Sequence, residues 1–149
     1  IWERWDGYVK GRGFQNPGMN SFNHYSIGAV GEWMYRIILG INPSEEYPGF
    51  KHFTIKPQPG GTLNWAKGSY KSINGLISSE WRKDKKKFKL DVEIPVNTSA
   101  TIILPVNRNA LIKLNSKSLA VEMVNSDHNM KNETAIDLGS GKYSFEVSY

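Results

Sequence analysis

Glu3 and Asp6 stand three residues apart in the stretch IWERWDGYV, among Trp2, Arg4, Trp5 and Tyr8. A carboxylate beside tryptophans is the combination a sugar-processing site offers. Aromatic faces stack on the apolar faces of a pyranose while the carboxylate handles protons and hydroxyls. The alternative is that Glu3 and Arg4 are solvated charges and the tryptophans belong to a core. As an acid/base pair, Glu3 and Asp6 are poorly spaced. On one helical turn their Cβ atoms lie about 5–6 Å apart. An inverting glycosidase holds its carboxyl groups roughly 6.5–9.5 Å apart to admit a water. A distant partner is the more natural arrangement for either carboxylate.

Other chemistries find little support. The 149 residues include no cysteine, so disulfides, thiolate nucleophiles and Cys-based zinc sites are excluded. His24, His52 and His128 are too scattered for a metal site, and neither an H-E-x-x-H nor a G-x-S-x-G spacing occurs. The GRG at 11–13 lacks the strand–turn–helix setting of a phosphate loop. The expectation is therefore no metal and no cofactor. The formal charge of +5 invites a nucleic-acid partner. Its densest run, RKDKKKFK from Arg82 to Lys89, lies between two strand-like segments and reads as a solvated hairpin turn. Neither a nucleic-acid nor a membrane partner is expected.

The elements that must carry these residues change period near Pro48. From Phe22 to Ile41, FNHYSIGAVGEWMYRIILGI places apolar residues on two adjacent helical stripes. That predicts a helix buried on several sides, with Ser21 as N-cap and Gly40 as its stop. Gly28 and Gly31 weaken such a helix by roughly 1 kcal/mol each relative to Ala, which suggests close approach of a neighbouring helix. One buried helix implies partners upstream, and Ile1, Trp2 and Trp5 also look like residues from inside a domain. The chain reads as a piece of something larger. After residue 48 the period is two: short strands such as HFTI, LISSEW, FKLDVEI, TIILP, AVEMV and YSFEVS alternate with turns. This predicts a mainly β fold, an antiparallel β-sandwich preceded by a helical segment.

In order along the chain, WERWD, MNSFNHYSIGAVGEWMYR, PGFKHFTIKPQPGG, SINGLISSEWR and NTSATIILP resemble the carboxy-terminal part of bacterial α-L-rhamnosidases of glycoside hydrolase family 78. The resemblance implies that residues 1–47 are the last segment of an (α/α)6 catalytic barrel. Residues 48–149 would then be the carboxy-terminal sandwich. It also implies an inverting hydrolase that releases terminal α-L-rhamnose from glycosides or polysaccharides.

Carried over by motif, the glutamate of W-E-x-W falls on Glu3, a general base for the attacking water. The histidine of N-H-Y falls on His24, at the sugar site, with Trp2 and Trp5 as pocket walls. The general acid belongs to an upstream segment with no counterpart here, so the chain alone is expected to be catalytically silent. Its partners would be a rhamnose-containing glycan and the remainder of the barrel, with self-association through the exposed helix as a further option. A periplasmic or extracellular setting is slightly favoured.

Two other readings stay open. One is a carbohydrate-binding sandwich using Trp65, Tyr70 and Trp81. The other is a purely structural module of another (α/α)6 glycosidase.

Overall fold

The computed structural model describes residues 2–106, 110–119 and 132–149. The strand candidate at 120–124 and His128 lie outside the described residues. The chain forms two compact units, residues 1–34 and 35–149.

In the first unit, β1 (Tyr8–Val9) pairs antiparallel with β2 (Gly13–Phe14). Gly11 in the connecting turn and Gly13 at the start of β2 hold φ of +86° and +82°, a region glycine enters without steric cost. Asn16 caps a 3-10 turn at Pro17–Met19 by accepting from Gly18 N at 2.9 Å.

The helix expected over 22–41 forms later and in pieces. It comprises α1 (Tyr25–Gly28), α2 (Val30–Trp33) and a wide π-helical turn at Met34–Ile38. His24, not Ser21, is the N-cap residue of α1. The burial expected of the helix is not found. Tyr25, Val30 and Trp33 are exposed, and a Cβ placed on Gly28 or Gly31 meets nothing within 4 Å. Short helices draw most of their stability from tertiary packing, so two glycines and no covering neighbour leave this one broken.

The second unit begins with the end of that turn and continues as the expected sandwich. Its strands are β3 (Ile41–Pro43), β4 (His52–Ile55), β5 (Trp65–Ser72), β6 (Gly75–Lys83), β7 (Lys87–Ile94) and β8 (Ser99–Pro105). They continue with β9 (Leu111–Leu114), β10 (Lys117–Ser118), β11 (Glu133–Leu138) and β12 (Gly141–Ser148). One sheet has the order β10-β9-β12-β7-β6-β5, the other β11-β8-β4-β3. Among the described residues every pairing is antiparallel except β4 with β8, which is parallel. The change of period near Pro48 therefore falls inside this unit, whose first strand is Ile41–Pro43.

Alternation explains the core. On β7, Phe88, Leu90, Val92 and Ile94 are buried while Lys87, Lys89 and Asp91 face water. They meet Phe53 and Ile55 of β4, Ile77 and Trp81 of β6, Ile102 and Leu104 of β8 and Phe145 and Val147 of β12. Trp81 stacks on Phe88 with ring centroids 6.3 Å apart. The lysine run is a turn as expected, set by Asp84, whose Oδ1 accepts from Lys86 N at 2.7 Å and Lys87 N at 2.8 Å. It joins two interior strands, so its lysines do not guard a sheet edge. Asn115 and Ser116, with φ of +48° and +67°, form the two-residue turn between β9 and β10, the twist a tight hairpin prefers.

The helix end is fastened to the sandwich through its last carbonyls, which have no intrahelical partners. Ile37 O accepts from Gln58 N at 3.0 Å and Gly40 O from Lys56 N at 2.9 Å. Ile38 O accepts from Trp81 Nε1, and Leu39 O from Ser79 Oγ, both at 2.7 Å. Gly40 ends the turn with φ of +76°, as its position in the sequence predicts.

Candidate active-site segment

All four residues picked from the sequence lie in the first unit, and the structure brings two of them together. Glu3 and Ser21 clasp each other across eighteen residues. Glu3 N donates to Ser21 O at 2.7 Å, and Ser21 N donates to Glu3 Oε2 at 2.9 Å. This pair of bonds ties the chain start to the segment just before α1. It leaves Glu3 Oε1 facing His24 Nε2 at 3.9 Å. The other ring nitrogen, Nδ1, lies 2.7 Å from Ser26 Oγ, and the imidazole stacks on Tyr25 at 5.7 Å. Both side chains are partly open to solvent, Glu3 by 24% and His24 by 30%.

One carboxylate oxygen is thus pinned by a backbone amide, while the other is open toward an imidazole beyond direct hydrogen-bond range. A water or sugar hydroxyl placed beside that gap can bond to both groups. That is the geometry of a positioned proton acceptor.

The tryptophans separate. Trp2 packs edge-to-face on Phe22 at 4.7 Å, and Phe22 in turn meets Phe14 at 5.6 Å. Trp2 itself stays half-exposed. Trp5 is 101% exposed. Asp6 is taken by Arg4 in a two-pronged pair, with both bonds at 3.0 Å, and so is a surface charge rather than a partner for Glu3.

Sequence reasoning did not find the Ser21 and Ser26 contacts. Both are local polar bonds made by small residues, and only the folded backbone reveals them. Asn20 was also missed: its Nδ2 donates to Gly7 O at 2.8 Å, and a side chain on Gly7 would collide with its Oδ1. Among the described residues, no three His, Asp or Glu side chains gather to hold a metal ion. No helix of the described residues is long and apolar enough to cross a membrane.

The sandwich aromatics divide too. Trp81 is core, Tyr70 packs on Phe50 at 4.8 Å, and Trp65 stands exposed on edge strand β5.

A short helical segment leads into a two-sheet β-sandwich, with the Glu3–Ser21 clasp before it. The chain belongs to the bacterial alpha-L-rhamnosidase family: residues 40–118 match its C-terminal domain and residues 1–38 its 6 hairpin glycosidase domain.

An alpha-L-rhamnosidase of Streptomyces avermitilis is 42% identical over 107 residues, covering 72% of this chain and 10% of that protein. Solved rhamnosidase structures are also similar, two of them as follows. The alpha-L-rhamnosidase from Dictyoglumus thermophilum matches with a TM-score of 0.81 at 27% identity, over 100% of this chain and 16% of that one. The Streptomyces avermitilis alpha-L-rhamnosidase complexed with L-rhamnose matches with a TM-score of 0.78 at 34% identity, over 99% of this chain and 14% of that one. The chain thus spans 10% to 16% of the length of these relatives.

Proposed function

We propose that this chain is the carboxy-terminal part of a rhamnosidase-like glycoside hydrolase and carries the water-activating half of an inverting site. Glu3 is the general base. Its pinned oxygen fixes the carboxylate, and Oε1 takes the proton of the attacking water as that water adds to the anomeric carbon. His24 orients the water or a hydroxyl of the rhamnosyl ring, and Trp2 and Trp5 form the wall against which the sugar rests. The acid that protonates the leaving oxygen lies on another segment of the enzyme, since inversion needs an acid on the opposite side of the sugar.

In this reading the residues up to the helix end belong to the (α/α)6 barrel, and the sandwich follows, starting with Ile41–Pro43 rather than near residue 48. The exposed side chains of Tyr25, Val30 and Trp33 are the surface that the rest of the barrel covers. In the isolated chain the same surface would favour a second copy.

The observation that carries the reading is the Glu3 clasp, with Oε2 held by Ser21 N and Oε1 turned to His24. The test is hydrolysis of an aryl α-L-rhamnoside. An enzyme containing this segment should turn over, and Glu3→Gln should lower kcat by about 10²- to 10⁴-fold, the usual worth of a positioned proton acceptor. The 149-residue chain alone should release no aglycone. Turnover by that chain, abolished by Glu3→Gln, would show a complete site within it and overturn the division of labour.

A further inference from the structure

The outer face of the six-stranded sheet carries one row of side chains that crosses all six strands. Trp65 of β5 lies opposite Arg82 of β6, and Arg82 opposite Lys89 of β7. Lys89 lies opposite Glu146 of β12, Glu146 opposite Lys113 of β9, and Lys113 opposite Ser118 of β10. At about 4.8 Å per strand the row runs about 24 Å across the sheet. Trp65 shares this face because Ala66 and Gly68, its inward neighbours, pair with Trp81 and Ser79 of the core. The ring is 61% exposed, and the side chains of Arg82 and Lys89 are 71% and 59% exposed.

The charge on this row is unbalanced. Arg82 and Lys89 are like charges in directly opposed positions, an arrangement that destabilises a sheet. Glu146 serves both Lys87 at 3.0 Å and Lys89 at 3.3 Å, while Lys113 also stands opposite it. At the same end of the sheet, the turn adds Lys85 and Lys86, and the carboxylate of the adjacent Asp84 is taken up by backbone amides. Lys85, Lys86 and Lys113 hold no ion pair among the described residues. Arg82 lies 3.4 Å from Glu80, a carboxylate it shares with Lys67. Six cations, Arg82, Lys85, Lys86, Lys87, Lys89 and Lys113, thus face three carboxylates, Glu80, Asp84 and Glu146, a surplus of three. Between Lys89 and Lys113 the surface dips into a depression of about 190 Å³ lined by Ser116 and Ser144 and by Glu146, whose carboxylate is held by Lys87 and Lys89.

We propose that this row binds a linear glycan bearing carboxylate groups. Trp65 stacks on one sugar ring, Arg82 forks onto a uronate carboxylate, and Lys89 and Lys113 meet further carboxylates along the chain. The serines by the depression are placed for sugar hydroxyls. Guanidinium geometry matches a carboxylate in two-pronged fashion, which gives Arg82 the positioning role. A single aromatic at one end suits a glycan better than a single-stranded nucleic acid, which asks for successive stacking platforms. The choice of a sugar polymer rests on the glycosidase reading above. The inference names the acidic character of the polymer on which that enzyme works.

Affinity electrophoresis of the 149-residue chain tests it, with polygalacturonate, neutral dextran or duplex DNA in the gel. Retardation by polygalacturonate and not by dextran is expected. The double substitution Lys89→Gln with Lys113→Gln should weaken it at least about tenfold, and Trp65→Ala about three- to tenfold, the range expected of one aromatic contact. All three side chains are exposed, and matching thermal unfolding curves would establish that the variants stay folded.

No retardation, retardation indifferent to either substitution, or DNA held as tightly as polygalacturonate would each overturn the proposal. Glu3→Gln should leave retardation unchanged. Failure here alongside Glu3-dependent hydrolysis sinks only this inference, and retardation without such hydrolysis sinks only the catalytic reading.

Discussion

Trp81 Nε1 donates a 2.7 Å hydrogen bond to the carbonyl oxygen of Ile38, so a fully buried core side chain also caps the last turn of the helical segment. Ser79, two residues earlier on the same face of β6, does the same for Leu39. One strand thus satisfies two carbonyls that the helix cannot, and the helix end is fixed by the interior of the sandwich. The bond also explains why an indole sits at the centre of an otherwise aliphatic and phenyl core, since a buried Trp N–H needs an acceptor.

Replacing these donors should cost stability in a graded way. Ser79→Ala leaves Leu39 O without its partner and should cost about 1–3 kcal/mol, the penalty of a buried group left unsatisfied. Trp81→Ala adds a large cavity and should cost about 3–5 kcal/mol or more. Urea unfolding followed by far-UV circular dichroism checks both, and equal midpoints for the two variants would contradict the assigned capping role.

Gly40 and Gly61 make a matched pair for a second test. Both hold positive φ, +76° and +56°. A Cβ on Gly40 would overlap the Lys56–Pro57 peptide, whereas one on Gly61 meets nothing within 4 Å. Gly61→Ala should therefore cost only about 1 kcal/mol, the backbone penalty of a left-handed residue. Gly40→Ala should cost several times more, because backbone must move to make room. The difference in unfolding midpoint between the two variants is the measurement.

Acid should weaken the six-stranded sheet. Hydrogen bonds from Lys86 N and Lys87 N hold the Asp84 carboxyl below its ordinary range. Bonds from Lys67 do so for Glu80, and bonds from Lys87 and Lys89 for Glu146. Each group has a lower pKa folded than unfolded. Its contribution is therefore fully present above the unfolded value, near 4, and fades as pH falls through the folded one. Urea midpoints should hold from pH 7 to 5 and fall below about pH 4. Asp84→Asn should flatten that fall. A variant whose midpoint drops as steeply as the parent's would show that the turn carboxylate is not among the groups responsible.

The strands were legible because alternation is a strong signal. FKLDVEI reads as β7 at sight, and its buried and exposed positions came out as the pattern requires. The parallel contact of β4 with β8 was not legible, since no periodicity reports which strand a segment will choose. The helix was legible in its two apolar stripes but not in its start at Tyr25 or its broken course. Among the described residues Tyr25, Val30 and Trp33 stay exposed, as expected of a face whose neighbours lie outside this chain. From residue types alone Glu3 was legible as a carboxylate among aromatics, and the W-E-x-W resemblance singled it out. Its distinction from Asp6 comes from Ser21, eighteen residues away, and from Arg4, which takes Asp6.

Glu3 has a structural duty and a proposed chemical one, and two substitutions separate them. In Glu3→Gln the amide oxygen can still accept from Ser21 N, and the backbone bond from Glu3 N to Ser21 O is untouched. The clasp should survive, with thermal stability of the chain changed by less than a degree or two, while the proton acceptor is gone. In Glu3→Ala the Ser21 amide loses its carboxylate, and a hydrogen bond to a charged group contributes about 1.5–3 kcal/mol. The segment before α1 should loosen, read as faster amide exchange at Ser21. In an enzyme containing this segment, both variants should lose hydrolysis of an aryl α-L-rhamnoside. Added azide, a small nucleophile that needs no deprotonation, should restore turnover in Glu3→Ala more than in Glu3→Gln, because only the alanine leaves room where the water was activated. Full activity in Glu3→Gln with loss in Glu3→Ala would assign the residue to the clasp alone.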